Sequence, residues 1–192
     1  MSASYNTTEY RKCLALVGSA CTTTGPAGPA GPAGPAGPGV TPLYGSFLSS
    51  TSQNATTVNP VAITYSERTI GSINTSGGTY PNSEVVIPTT GVYKVLFSAQ
   101  CDTTGAAAAL DIFPVVNGTS VPDSNTRIRL SVGVESCLAV EYFLSFNEND
   151  TLQFYMVGTG AGTARILAVT RGGGTPTIPD IPSIIITIMR IA

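Results

Sequence analysis

Histidine and tryptophan are absent from the 192 residues. Without histidine the chain has no Ser-His-Asp or Cys-His relay, no imidazole for zinc and no ready proton switch near neutral pH. Lysine occurs only as Lys12 and Lys94, which leaves little for Schiff-base chemistry. Charge is scarce too. Asp, Glu, Lys and Arg make up 10% of the chain, against about 25% in ordinary soluble domains. Nine basic and eleven acidic residues leave a net charge of −2, so no basic surface exists to hold a phosphate backbone, and nucleic acid is disfavoured as the main partner. No apolar run approaches the roughly 18 residues of a membrane-spanning helix. The composition therefore reads as non-enzymatic, with no catalytic residues and no cofactor.

Neutral polar residues take the place of charge, with 21 glycines, 14 prolines and 42% hydrophobic residues. That profile belongs to β-structure rather than to disorder. Four cysteines stand at 13, 21, 101 and 137. None has CxxC spacing, so a zinc site is not indicated. Cys101 and Cys137 lie in apolar runs and read as buried thiols, with disulfides left open.

The chain divides into three parts. Residues 1–24 read as a short amphipathic helix that anchors the chain, with a frayed terminal tail as the open alternative. Asn6 and Glu9 have capping-box spacing, and Tyr10, Cys13, Leu14, Val17 and Cys21 fall on one stripe. A helix so short needs its stripe covered, by copies of itself or by a partner. The apolar stretch 13–20 after Arg11 and Lys12 weakly imitates a secretory leader, and Glu9 argues against that reading.

Residues 25–39 carry the most specific signal. Gly25, Gly28, Gly31, Gly34 and Gly37 recur every third residue, each followed by proline. Only glycine fits at the axis of three wound polyproline-type strands, and the prolines pre-set φ for that winding. A single-chain spacer would favour the prolines but has no use for the glycine period. At about 3 Å per residue the stem spans on the order of 45 Å. Five triplets are too few to hold three chains unaided, so the head or the N-terminal segment must supply the threefold.

Residues 40–192 read as one all-β domain of ten strands, at 44–50, 61–65, 84–87, 92–101, 107–116, 126–132, 136–146, 151–157, 164–170 and 183–191. Each is rich in β-branched or aromatic residues and bounded by Gly, Pro, Asn or Asp turns. Such spacing without a helical window points to a sandwich or jelly roll. The last strand is apolar on both faces, which suggests a central strand that also lines an oligomer interface. Ile184, Ile186 and Ile188, with Tyr93, Phe97, Phe143 and Tyr155, are the candidates for core or trimer seam.

A family resemblance follows. Pro88-Thr89-Thr90-Gly91-Val92-Tyr93-Lys94-Val95-Leu96-Phe97, the turn Asn117-Gly118, and Phe146-Asn-Glu-Asn-Asp150-Thr-Leu-Gln-Phe154 resemble strand and turn motifs of the C1q/TNF-like trimeric jelly rolls. The closing strand 183–191 fits as well, while Asn149 stands where the family has a turn glycine. The resemblance implies a ten-strand jelly-roll head on a collagen-like stem, assembled as a homotrimer. The short stem resembles microbial collagen-like surface proteins: virion or capsid proteins of large DNA viruses, or exosporium proteins of spore-forming bacilli. The virion reading is preferred, because the N-terminal segment lacks a proline-rich leader of the spore-surface kind. Its partners would then be other capsid or shell proteins, met through the N-terminal segment. A glycan-binding adhesin head is the competing reading.

Remaining sites are weaker. Glu148 and Asp150 in the cluster 147–150 are a marginal calcium pair, since calcium needs six to eight oxygens. Asp102 and Asp111 could pair as carboxylates, and Arg127 and Arg129 share a strand face. Five glycosylation sequons occur, at Asn6, Asn54, Asn74, Asn117 and Asn149.

Overall fold

A computed structural model describes Gly31 and residues 42–192. The N-terminal stripe, Asn6 and the other stem glycines lie outside the described residues. Fourteen strands form in the order β1 Tyr44–Ser49, β2 Gln53–Asn54, β3 Val61–Ala62, β4 Glu67–Gly71, β5 Asn74–Thr75, β6 Val85–Val86, β7 Gly91–Thr104, β8 Ala108–Val116, β9 Thr119–Ser120, β10 Thr126–Leu130, β11 Ser136–Phe146, β12 Thr151–Gly160, β13 Thr163–Ile166 and β14 Ile184–Arg190. They make two antiparallel sheets.

The first sheet is built around β7, the longest strand. Its residues 91–101 pair with β11 on one edge; β14 (residues 93–99) and β13 (101–104) share the other. β1 then pairs with β14, and β4 closes that side. The second sheet is built around β8 and β12, which pair from Ala108–Gly160 to Val116–Leu152. β10 and β9 flank β8, and β6 and β3 flank β12.

Alternation decides what is buried, because successive side chains of a strand point to opposite faces. Along β7 the inward set Tyr93, Val95, Phe97, Ala99 and Cys101 is fully buried. Facing it from the second sheet are Leu110, Ile112, Leu152, Phe154 and Met156. Phe97 and Phe154 bridge the sheets with ring centroids 5.2 Å apart.

Four elements, β2, β4, β5 and β9, fall outside the ten expected strands. They are short and polar; β4, Glu67-Arg-Thr-Ile-Gly71, buries none of its residues. Gly71 is required where β4 meets β1: its φ is +121°, and a Cβ there would collide with the Tyr44 carbonyl oxygen.

Candidate assembly interface

The outer face of the first sheet is unusually apolar. Register places Tyr44, Met189, Lys94 and Phe143 in one row across β1, β14, β7 and β11. The rows beside it hold Leu96 opposite Thr187, and Ile185 opposite Leu48. Phe143 is 62% exposed, Ile70 59%, Met189 43% and Ile185 40%. Lys94 Nζ pairs with Glu141 at 2.7 Å within this patch, and Glu67 of β4, opposite Leu48, is exposed at its edge.

Next to this face the sandwich has an open flank. β10 and β11 are the outermost strands of their sheets, joined by the turn 131–135. Their inward residues Ile128, Leu138, Val140 and Leu144 touch the core yet stay only partly buried. Tyr142 ties the flank together: its hydroxyl donates to the Ser124 carbonyl at 2.8 Å and lies 3.3 Å from the Thr126 hydroxyl. Partial burial raises the Tyr142 phenol above its usual range, opposed by that contact with Thr126. The exposed face and the half-covered flank are different surfaces of one protomer. Docking one on the other would be a head-to-tail contact, which gives a ring where the rotation closes and a filament where it does not.

No protein-family model and no curated protein matches this sequence. Solved structures do. Murine APRIL matches over 79% of this chain and 100% of its own, at 6% identity and a TM-score of 0.50. The globular domain of zebrafish complement 1qA (13% identity, 79% and 98% coverage, TM-score 0.48) and Eiger TNF from S. frugiperda (10%, 79% and 93%, 0.49) are also similar. The chain folds as a C1q/TNF-like jelly roll. At these identities the likeness speaks to fold alone.

Within this jelly roll the seam candidates separate. Ile184, Ile186 and Ile188 are at most 1% exposed and face the protomer's own core, as do Tyr93 and Phe97. The residues that β14 leaves exposed are Ile185, Thr187 and Met189. Phe143 lies on that same outer face. Tyr155 does not: it is half-buried on the outside of the second sheet, stacked on Phe113.

Of the calcium pair, Asp150 is otherwise employed, while Glu148 is exposed. Asp150 accepts from the Asn117 side-chain amide at 2.7 Å through one oxygen and from the Asn147 backbone N–H at 2.7 Å through the other. Asn149 takes the left-handed turn position at φ +69°, which only Gly or Asn/Asp visits readily. The cluster is thus a turn, tied to the Asn117 turn by the Thr151 N–H donating to Asn117 Oδ1 at 2.9 Å. Among the described residues no group of three His, Cys, Asp or Glu is placed to hold a metal ion. Asn54, Asn74, Asn117 and Asn149 are all exposed, and of these Asn117 has its amide nitrogen bonded to Asp150.

Asp102 and Asp111 do not meet. Asp111 on β8 receives two bonds from Arg127, at 2.6 and 2.7 Å, and Asp102 on β7 receives two from Arg165 at the same distances. Each is a direct cross-strand pair in a different sheet, so the carboxylates are structural. Bonding to Asp111 raises Arg127, and bonding to Asp102 raises Arg165. Cys101 is buried, and burial pushes its thiol up to about 12. Cys137, expected inside, is exposed, because it alternates onto the outer face beside the Ser98 hydroxyl. Both thiols are free.

Proposed function

We propose that this protein is a non-enzymatic structural component of a particle surface: a homotrimer whose jelly-roll heads stand on a collagen-like stem, held to a virion shell by the N-terminal segment. The strict glycine period at Gly25, Gly28, Gly31, Gly34 and Gly37 carries the reading, since it has physical meaning only for three chains. The head supports the reading through its exposed apolar residues Phe143, Ile185 and Met189, which a neighbouring head would cover, and the stem would tie the chains at high effective concentration. Native mass spectrometry of the full chain tests this, with a trimer expected and a monomer at micromolar concentration refuting it. For the anchor, Leu14→Asp with Val17→Asp should leave soluble trimers but strip heads from particles. Heads at normal occupancy would refute the docking role. Imaging on spores in place of virions decides the alternative, an exosporium protein.

A further inference from the structure

We propose that the groove beside Phe113, on the outer face of the second sheet, is a binding site for a neutral hexopyranose. Phe113 on β8 and Tyr155 on β12 are direct cross-strand partners. Their rings stack with centroids 6.3 Å apart and planes 21° apart, so Tyr155 backs Phe113, the half-buried aromatic ring that lines the groove. Beyond Phe113 the groove is walled by Ser120 of β9 and by Val121, Asp123 and Asn125 of the following loop, with a volume of about 360 Å³. That lies within the range of small-ligand sites, which are typically about 300–1,000 Å³.

The loop is held before any ligand arrives. Val121 N–H donates to the Pro114 carbonyl at 3.1 Å, Ser124 Oγ donates to the Val121 carbonyl at 2.7 Å, and the Tyr142 hydroxyl donates to the Ser124 carbonyl at 2.8 Å. Asp123 sits in the left-handed region at φ +55°. Asp visits that region readily in turns, so the loop is ordered without strain. Among the described residues the Asp123 carboxylate and the Asn125 amide make no side-chain hydrogen bond, so both are free to meet a ligand's hydroxyls.

The chemistry selects the ligand. An aromatic shelf takes a flat apolar C–H face, the carboxylate accepts from hydroxyls, and the amide and Ser120 both donate and accept. A ring apolar on one face and hydroxylated at its rim meets all three demands. The single charge in the lining is Asp123, which repels acidic sugars and phosphates. Amines are the competing class, because a carboxylate beside an aromatic face also suits a cation.

Saturation-transfer NMR on the full chain tests the assignment, using methyl pyranosides of glucose, galactose, mannose and N-acetylglucosamine, with N-acetylneuraminic acid and choline as contrasts. The expected result is transfer to the ring C–H protons of at least one neutral pyranoside, and none to the acid or to choline. Phe113→Leu keeps the apolar volume without the ring face and should abolish the signal. Asp123→Asn, which still suits a positive φ, should weaken binding about tenfold with an unchanged melt. Absence of transfer to all four neutral sugars, binding of choline or the acid instead, or full affinity in either variant overturns the proposal. The groove is formed by one protomer, and because Tyr142 of the flank holds its loop, the same titration on the Phe143→Asp variant separates sugar binding from assembly.

Discussion

Phe143→Asp isolates assembly from folding. Phe143 sits mid-strand on β11 with 62% of its surface exposed, between the Lys94–Glu141 ion pair and the open flank. An aromatic side chain can bury about 150–250 Å², so roughly 90–160 Å² remains for a neighbour to cover. At about 25 cal/mol per Å² that is roughly 2–4 kcal/mol per protomer, and roughly 7–12 kcal/mol over a closed ring of three. An aspartate forfeits this and adds a charge to be desolvated. In the isolated protomer the same change touches little, since surface substitutions usually stay within about 0.5 kcal/mol. The variant should therefore elute as monomer by size-exclusion chromatography with light scattering, while its circular dichroism remains that of a β-sandwich. Phe97→Ala, fully buried, is the contrast: it should cost about 3–5 kcal/mol of protomer stability. A Phe143→Asp protein of unchanged trimer mass refutes the reasoning, because the most exposed aromatic of the face would then lie outside the seam.

Other outcomes follow from single contacts. Arg127→Ala should lower stability in chemical denaturation, because buried Asp111 loses both of its charged hydrogen-bond donors; stability equal to the parent would show that solvent replaces them. Cys101 has its pKa raised from 9.0 to about 12 by folding, so the folded state holds a proton that the unfolded chain releases. Stability should then fall by up to about 1.4 kcal/mol per pH unit as pH rises above 9, and Cys101→Ala should flatten that slope in urea titrations. Gly71→Ala, at φ +121° against the Tyr44 carbonyl, should lower the melting temperature by several degrees, measured by calorimetry. Because both oxygens of Asp150 are already bonded, calcium or a chelator should leave the melt unmoved.

The parts legible in the sequence are those where one local rule acts alone. The glycine period needs no tertiary context, because its meaning lies in the crowding of three backbones. Alternation along β7 separates Tyr93, Val95, Phe97 and Ala99 from Lys94 and Ser98, and the boundaries of β11 follow from its turns. On β14 the rule goes silent: Ile184 through Ile188 and Met189 are apolar at nearly every position, so either face could be inward. Only pairing with β7 and β1 turns Ile184, Ile186 and Ile188 to the core and leaves Ile185 and Met189 outside. The short polar strands β2, β4, β5 and β9 exist because neighbouring strands offer them hydrogen bonds, not because their residues prefer to be extended. Carboxylates 102 and 111 look alike along the chain, yet each meets an arginine on a strand that the fold brings beside it. The Phe113–Tyr155 shelf joins residues 42 positions apart, and that distance in sequence is crossed only by the antiparallel register of β8 and β12.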